Sequence, residues 1–429
     1  MIVNSGAAKA VSIANTHEGG GIGHGSGWVS VEIPGQYPPN IVSDGKPAPE
    51  LHAKLIKFES TIEVSRRNDQ LVRRIGMVGS DGKLHQFLLQ FAIPYWTRTD
   101  ERTTQLHHLY GHCLRKETIS SRRNLWLRPT AVIPIAQRLR MTAEKKCHLS
   151  LDDVYSLDCM AKGNDYIEMY NFFQEMMKQP RDNENINMTL PSNQGQESLS
   201  TPTMSCKIRA FQQVQDKTSS RMLIEYVENL LRTIEQYFHF QRTFASQTAL
   251  NSLLQYIFTV NERIPSKFIF DQRNAHVLFP DFRFSYTNQG FMDEKKPLPF
   301  RLTCNIENFI GPFLMKGIFA PAMASAAAAI CANEQENEQS LQVLFRDDIV
   351  SWYLSKSSQR DGSQRTMQEL ERQLSDRVKK NVYLVHSRLR ECVATEGSAT
   401  VDTGVHKLIS IATSPERLAD MPLNFAPWL

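Results

Sequence analysis

The seven cysteines of this 429-residue chain are odd in number, scattered from Cys113 to Cys392 and never arranged as C-x-x-C. That pattern excludes a disulfide framework or a zinc knuckle as the organising device, and a reducing compartment, cytosol or nucleus, is expected. The most membrane-like stretch, Gly317 to Ala332, is short for a bilayer span, rich in weakly apolar alanine and interrupted by Pro321, so it reads as a buried or half-buried helix. No basic flank followed by an apolar run opens the chain, and no secretory signal is expected. Internal repeats are absent, which argues against a helical-repeat solenoid. The glycine-rich HEGGGIGHGSG lacks G-x-G-x-x-G spacing. Ser252, Ser266 and Ser285 stand outside any G-x-S-x-G context, and Cys392 has no neighbouring base, which leaves nucleophilic hydrolysis without support.

What is present is ordinary globular material, 41% hydrophobic and 22% charged, enough for two lobes with separate cores. The formal net charge is only +4, yet Leu51 to Ser150 holds 18 Lys and Arg against 8 Asp and Glu. Two readings fit this surplus: a solvated face of a small lobe, or a nucleic-acid surface whose salt-sensitive binding would fall on charge reversal at Arg66, Arg67, Arg73 and Arg74. The i, i+4 pair His108 and His112, with His107 beside it, has no acidic third ligand on its face, and reads as surface or core packing before metal binding.

Residues 1–46 are rich in Gly, Ser and Pro and read as a flexible leader, with one strand around Trp28 to Ile33. From Ala53 to Phe91, short apolar runs punctuated by Gly79-Ser80-Asp81-Gly82 predict antiparallel hairpins. Asp100 to Leu114 has helical spacing with acidic residues in its first turn, and 125–140 returns to strand-like runs. Helices are expected over Leu151–Lys162, Tyr166–Met177, Met222–Phe238 and Phe244–Thr259. Pro180 to Thr203 is too polar to bury and reads as a disordered surface insertion, with Ser355–Ser363 a lesser case. The order is a small β-rich lobe followed by a larger, mostly helical one.

The stretch from Gln241 to Thr303 carries the chemistry. A long helix leads into Asn261-Glu262-Arg263-Ile264-Pro265-Ser266-Lys267, then two short strands, then Asp281-Phe282-Arg283, then PFRLT. This order resembles the phosphatidylinositol 3-kinase-related protein kinases, in which a G-D-R-H-P-S-N loop precedes two strands and D-F-G. Phosphoryl transfer needs an Asp to position the attacking hydroxyl, an Asn and a DFG Asp on the metal ions, and a Lys on the phosphates. Aligned on the family, Glu262 stands for the catalytic Asp, Arg263 is kept, and Ile264 replaces the His. Lys267 replaces the metal-binding Asn, Asp281 and Phe282 are kept, Arg283 replaces the Gly, and Gln90 in Phe87-Leu88-Leu89-Gln90 replaces the phosphate lysine. An ammonium offers a metal no lone pair, and Gln90 no charge to a phosphate.

The degenerate pattern is most similar to the transformation/transcription domain-associated protein family, the pseudokinase branch, through IPGQY (Ile33–Tyr37), PLPFRLTCNI (Pro297–Ile306) and VLFRDDIVSWY (Val343–Tyr353). The last segment, ending in Pro-Trp-Leu, resembles that family's FATC element. The resemblance implies an α+β, two-lobed phosphatidylinositol 3/4-kinase-like fold. It divides the chain into a leader at 1–46, an N-lobe at 47–136, a C-lobe at 137–396 with the insertion at 180–203, and FATC at 397–429. It implies a pseudokinase with no catalytic residue, cofactor or metal, acting in the nucleus as a scaffold subunit of SAGA-type histone acetyltransferase coactivator complexes, with no membrane and no direct nucleic-acid contact. The alternative is a residually active serine/threonine kinase with Glu262 as base, Asp281 on one Mg²⁺ and Lys83 on the phosphates.

Overall fold

The computed structural model describes residues 9–12, 31–36, 49–67, 70–91, 98–127, 129–136, 139–145, 147–178, 204–278, 282–292, 297–357, 367–393 and 404–429. Within it the chain forms two compact units: unit 1 comprises 1–111, 127–148 and 338–379, and unit 2 comprises 112–126, 149–337 and 380–429.

Unit 1 is built on a seven-stranded sheet of β1 (Lys9–Ser12), β2 (Leu55–Phe58), β3 (Thr61–Arg67), β4 (Gln70–Gly79), β5 (Leu84–Phe91), β6 (Val132–Ala136) and β7 (Leu139–Glu144). Its order is β1-β3-β4-β5-β7-β6, with β2 paired to the far end of β4. The β4–β5 hairpin turns where the Gly-Ser-Asp-Gly signal predicts. Gly82 adopts φ +71° there, and the Asp81 carboxylate accepts from the Lys83 amide at 3.1 Å. Alternate residues Met77, Phe87 and Met141 point to one face and bury with Ile33 and Ala53. Two parts of the stretch read as a flexible leader are therefore ordered: β1 pairs antiparallel with β3, and Ile33 is a core residue. Trp28 to Ser30, the first part of the strand expected there, lie outside the described residues. In the IPGQ motif Gly35 has φ +84° and comes so close to Ala131 that a Cβ would lie 2.9 Å from its methyl. The Gln36 amide then donates to the carbonyls of Ile33 and Ala53 and accepts from the Ala53 amide. β7, counted with the larger lobe in the sequence-based division, pairs along β5 and belongs to this sheet.

Helix α1 (Thr99–Lys116) has Asp100 and Glu101 in its first turn and Arg115 and Lys116 in its last, a favourable match to the helix dipole. A short α2 (Thr118–Arg122) follows it. The remaining helices are α3 (Leu151–Lys162), α4 (Glu168–Lys178), α5 (Met204–Lys217), α6 (Met222–Leu230), α7 (Ile234–Ile257), α8 (Cys304–Leu314), α9 (Ala320–Cys331), α10 (Glu334–Ser357), α11 (Met367–Cys392), α12 (Gly404–Ala412) and α13 (Pro415–Ala419). Unit 1 uses the VLFRDDIVSWY stretch of α10 as a latch on α1: Asp348 accepts from the Thr99 hydroxyl at 2.6 Å and Asp347 pairs with Arg102 at 3.1 Å.

Unit 2 is mainly helical. The expected helix over 222–238 is broken at Leu231, which is extended, and Thr233 caps a new helix by accepting from the Gln236 amide. That new helix, α7, is buried on every side over its C-terminal half, from Phe244 to Ile257, which places it at the centre of the unit. Its Phe240 and Phe244 pack edge to face against Phe270 and Phe309, and Phe244 meets Phe268 at a tilt. A small sheet joins β8 (His148–Ser150), β9 (Ile269–Asp271) and β10 (Val277–Leu278), the last two being the short strands expected after the loop. The alanine-rich segment runs through a π turn at Met315–Phe319 into α9, with Ala320, Met323, Ala326, Ala327 and Ile330 buried. That burial is the core helix expected of it. Pro180 to Thr203, apart from its neighbours in α4 and α5, lies outside the described residues, as do 358–366.

Candidate functional site

The loop at the end of α7 is held by backbone pairing. The Asn261 amide donates to the Arg283 carbonyl at 2.9 Å, the Ser285 amide to the Thr259 carbonyl at 3.2 Å, and Val260 bridges Phe284 antiparallel. Behind it the rings of Phe258, Phe282 and Phe284 meet with centroids 5.4 to 5.7 Å apart. Phe282 thus serves as packing, 4% exposed. Pro265 opens a single 3₁₀ turn over Pro265–Lys267, suited to its fixed φ. Asp281 lies outside the described residues.

Two of the loop residues singled out by sequence bond to each other. Lys267 Nζ sits 2.6 Å from Glu262 Oε2, with the lysine side chain 3% exposed and the glutamate 57% exposed. Glu262 has φ +52°, an unusual conformation for a non-glycine residue, which costs about 1 kcal/mol. A buried ammonium is tolerated only when paired, so Glu262 acts as the counter-ion of Lys267. The i, i+5 pairing inside an irregular loop leaves no periodic signal in the sequence. As a metal ligand Lys267 does not fit, because Nζ has no lone pair to offer and already occupies a carboxylate oxygen of Glu262.

Arg263 and Arg301 are the buried cations next to this pair, 5% and 1% exposed. Arg301, in the PFRLT motif, donates through Nη1 to the carbonyls of Arg263 (3.0 Å) and Phe425 (2.6 Å), and through Nη2 to Ala426 (3.2 Å) and the carbonyl oxygen of Leu429 (2.9 Å). Its guanidinium also lies over the Phe425 ring. Asn305 donates to the Trp428 carbonyl at 3.1 Å, and the Trp428 ring packs on Tyr170 and Phe173. PLPFRLTCNI is thus the socket for NFAPWL, and one side chain ties that socket to the loop. Burial lowers the Arg301 pKa to about 9, leaving it charged at neutral pH. Both stretches carry the family resemblance in the sequence, but their spacing gives no sign that Arg301 joins them.

In unit 1, Gln90 lies half-buried on β5 and its Oε1 accepts from Arg140 Nε at 3.2 Å, while Arg140 also forms an ion pair with Asp100 of α1. Lys83, the alternative phosphate lysine, stands at the opposite end of β5. Gln90 is seven positions further along the chain, roughly 23 Å of extended strand, and the Lys83 side chain is 78% exposed. It does not substitute for a cation at Gln90. Of the arginines proposed for nucleic acid, Arg74 is engaged by Glu144 at 2.6 Å and by Glu63, and Arg73 lies over Phe91. The side chains of Arg66 and Arg67 lie outside the described residues. Burial pulls the imidazole of His107 down to about 4, a packing environment.

A sheet-bearing lobe, a helical lobe and a loop–strand–strand–Phe-Arg sequence behind a buried helix define a kinase-type fold. Residues 95–354 match the family model for phosphatidylinositol 3- and 4-kinase, and the chain belongs to that family. Among curated relatives it is similar to the SAGA complex/NuA4 acetyltransferase complex subunit TRA1 of Saccharomyces cerevisiae, 26% identical over 94% of this chain and 11% of the relative. It is also similar to the human transformation/transcription domain-associated protein, 24% identical over 93% of this chain and 10% of the relative. The chain therefore spans about a tenth of the length of the curated relatives it matches. Among solved structures, the FAT and kinase domain of CtTel1 superposes with a TM-score of 0.66 at 14% identity, covering 93% of this chain and 25% of that one, which shows the fold.

Proposed function

We propose that this chain is a catalytically inactive kinase-fold module that serves as a scaffold in histone acetyltransferase coactivator complexes of the nucleus. The observation that carries the reading is the Lys267–Glu262 pair. At the positions the family uses for a metal-binding Asn and a catalytic Asp stand a buried ammonium and the carboxylate that neutralises it. The ammonium has no lone pair for a metal, Glu262 commits a carboxylate oxygen to it, and Gln90 brings no charge to a phosphate. The kinase fold is kept for its surfaces and for the interior that holds the C-terminal segment. Large apolar side chains exposed at Ile234, Phe238, Phe313 and Val343 support contact with protein partners. The named relatives that are complex subunits give the partner class, protein subunits of SAGA- or NuA4-type assemblies.

The test is immunoprecipitation of the native protein from nuclear extract, with histone acetyltransferase activity and radiolabelled phosphate transfer read on the same beads. The scaffold reading predicts acetyltransferase activity and no transfer of label that depends on this chain. Label transfer lost in Glu262→Gln would replace it with the residual serine/threonine kinase.

A further inference from the structure

Within unit 2 a cavity of about 580 Å³ opens between the end of α7, the loop at Arg263, the Leu298–Pro299 segment, α11 and α12. Among the described residues its wall is cationic: Arg263, Arg388, Lys407 and Arg417 face it with one carboxylate, Glu391, which is itself engaged by the Tyr256 hydroxyl at 2.5 Å. Arg388 and Arg417 already spend donors on carbonyls, Arg388 on Ile257 and Met292 and Arg417 on Pro297. Arg263 does not. Its side chain is 5% exposed and has no hydrogen-bond or ion-pair partner among the described residues. The nearby Arg301 adds a second buried positive charge, felt by electrostatic repulsion. A buried guanidinium without a counter-charge is costly, and such groups are retained where something supplies the missing anion.

We infer that this cavity binds a small molecule bearing a phosphate group, with the phosphate oxygens on the Arg263 guanidinium and Lys407 at the rim. Guanidinium groups fit phosphate oxygens in pairs, and the cationic described lining suits an anion. The volume is that of a small-molecule site, and Val260, Leu298, Leu408 and Ile411 give the ligand's body apolar walls. Neither Lys267 nor Glu262 lines the cavity, and it requires neither that pair nor a metal, so the inference does not depend on the loss of kinase chemistry.

The experiment is a thermal-shift and calorimetric titration of the full chain with inorganic pyrophosphate, against chloride at matched ionic strength and with chelator present. The expected result is a saturable rise in melting temperature without divalent metal. Arg263→Met should move that rise to roughly tenfold to a hundredfold higher pyrophosphate. The same variant should melt higher than the parent without ligand, because an uncompensated buried charge has been removed. Lys407→Gln, at an exposed position, should fold normally and weaken binding several-fold, while Lys267→Asn should leave binding unchanged. Three results would each overturn the proposal: no saturable shift, an undiminished shift in Arg263→Met, or loss of protein partners in Arg263→Met with no pyrophosphate binding by the parent. The last would assign the cavity to an acidic side chain of a partner.

Discussion

Replacing Arg301 by Met removes the guanidinium that joins the Arg263 carbonyl to those of Phe425, Ala426 and Leu429. Met fills a similar volume, so the change isolates the four bonds. Hydrogen bonds to a charged donor contribute about 1.5–3 kcal/mol each. Part of that sum is offset, because the wild-type fold desolvates a guanidinium completely, and the variant no longer does. What remains is the cost of leaving carbonyls in a closed interior without their donor, a net loss of about 3–5 kcal/mol. Arg301→Lys keeps the charge but cannot span four acceptors with one nitrogen, and should recover less than half of that. Urea unfolding followed by tryptophan fluorescence reads the change, since Trp428 is enclosed by Tyr170 and Phe173 and should become exposed in the variant's native baseline. An Arg301→Met protein within about 1 kcal/mol of the parent, with unshifted native emission, would refute the socket as a stabilising element.

A Cβ on Gly404 would lie 1.9 Å from the Glu391 carbonyl oxygen. Gly404→Ala should therefore push the start of α12 off α11 and cost about 1–3 kcal/mol in thermal melts, and a neutral effect would show that the two backbones do not meet there. His107 has a folded-state pKa of about 4 against the ordinary 6.5, so the unfolded chain binds the extra proton between those values. Stability should be complete above pH 6.5 and fall by up to about 3 kcal/mol as pH drops to 4, a loss that His107→Gln should flatten and that denaturation across this range would measure.

How much of this was legible in the sequence varies with the physics. Period-two and helical apolar patterns located the β4–β5 hairpin and α1 and α3, because burial of one face writes itself into the spacing. α7 was legible as a helix but not as the central one, since burial on all sides leaves no polar face; its start was misplaced because the break at Leu231 carries no Gly or Pro. α10 and α11 are rich in charge, which blurs the apolar stripe that would mark them as helices. At the site, residue types at 262, 267 and 283 were readable through the family resemblance. The Lys267–Glu262 bond was not, because it depends on the left-handed turn at Glu262. Nor was the Arg301 socket, whose partners lie more than a hundred residues away along the chain.

We propose that the Lys267–Glu262 pair stands where a kinase would hold metal and nucleotide. Calorimetric titration of the purified chain with ATP, with and without Mg²⁺, tests it most directly, with Lys267→Asn run in parallel. The account predicts no saturable, Mg²⁺-dependent binding by the natural chain up to millimolar nucleotide. Saturable Mg²⁺-dependent binding that disappears in Asp281→Ala would contradict it.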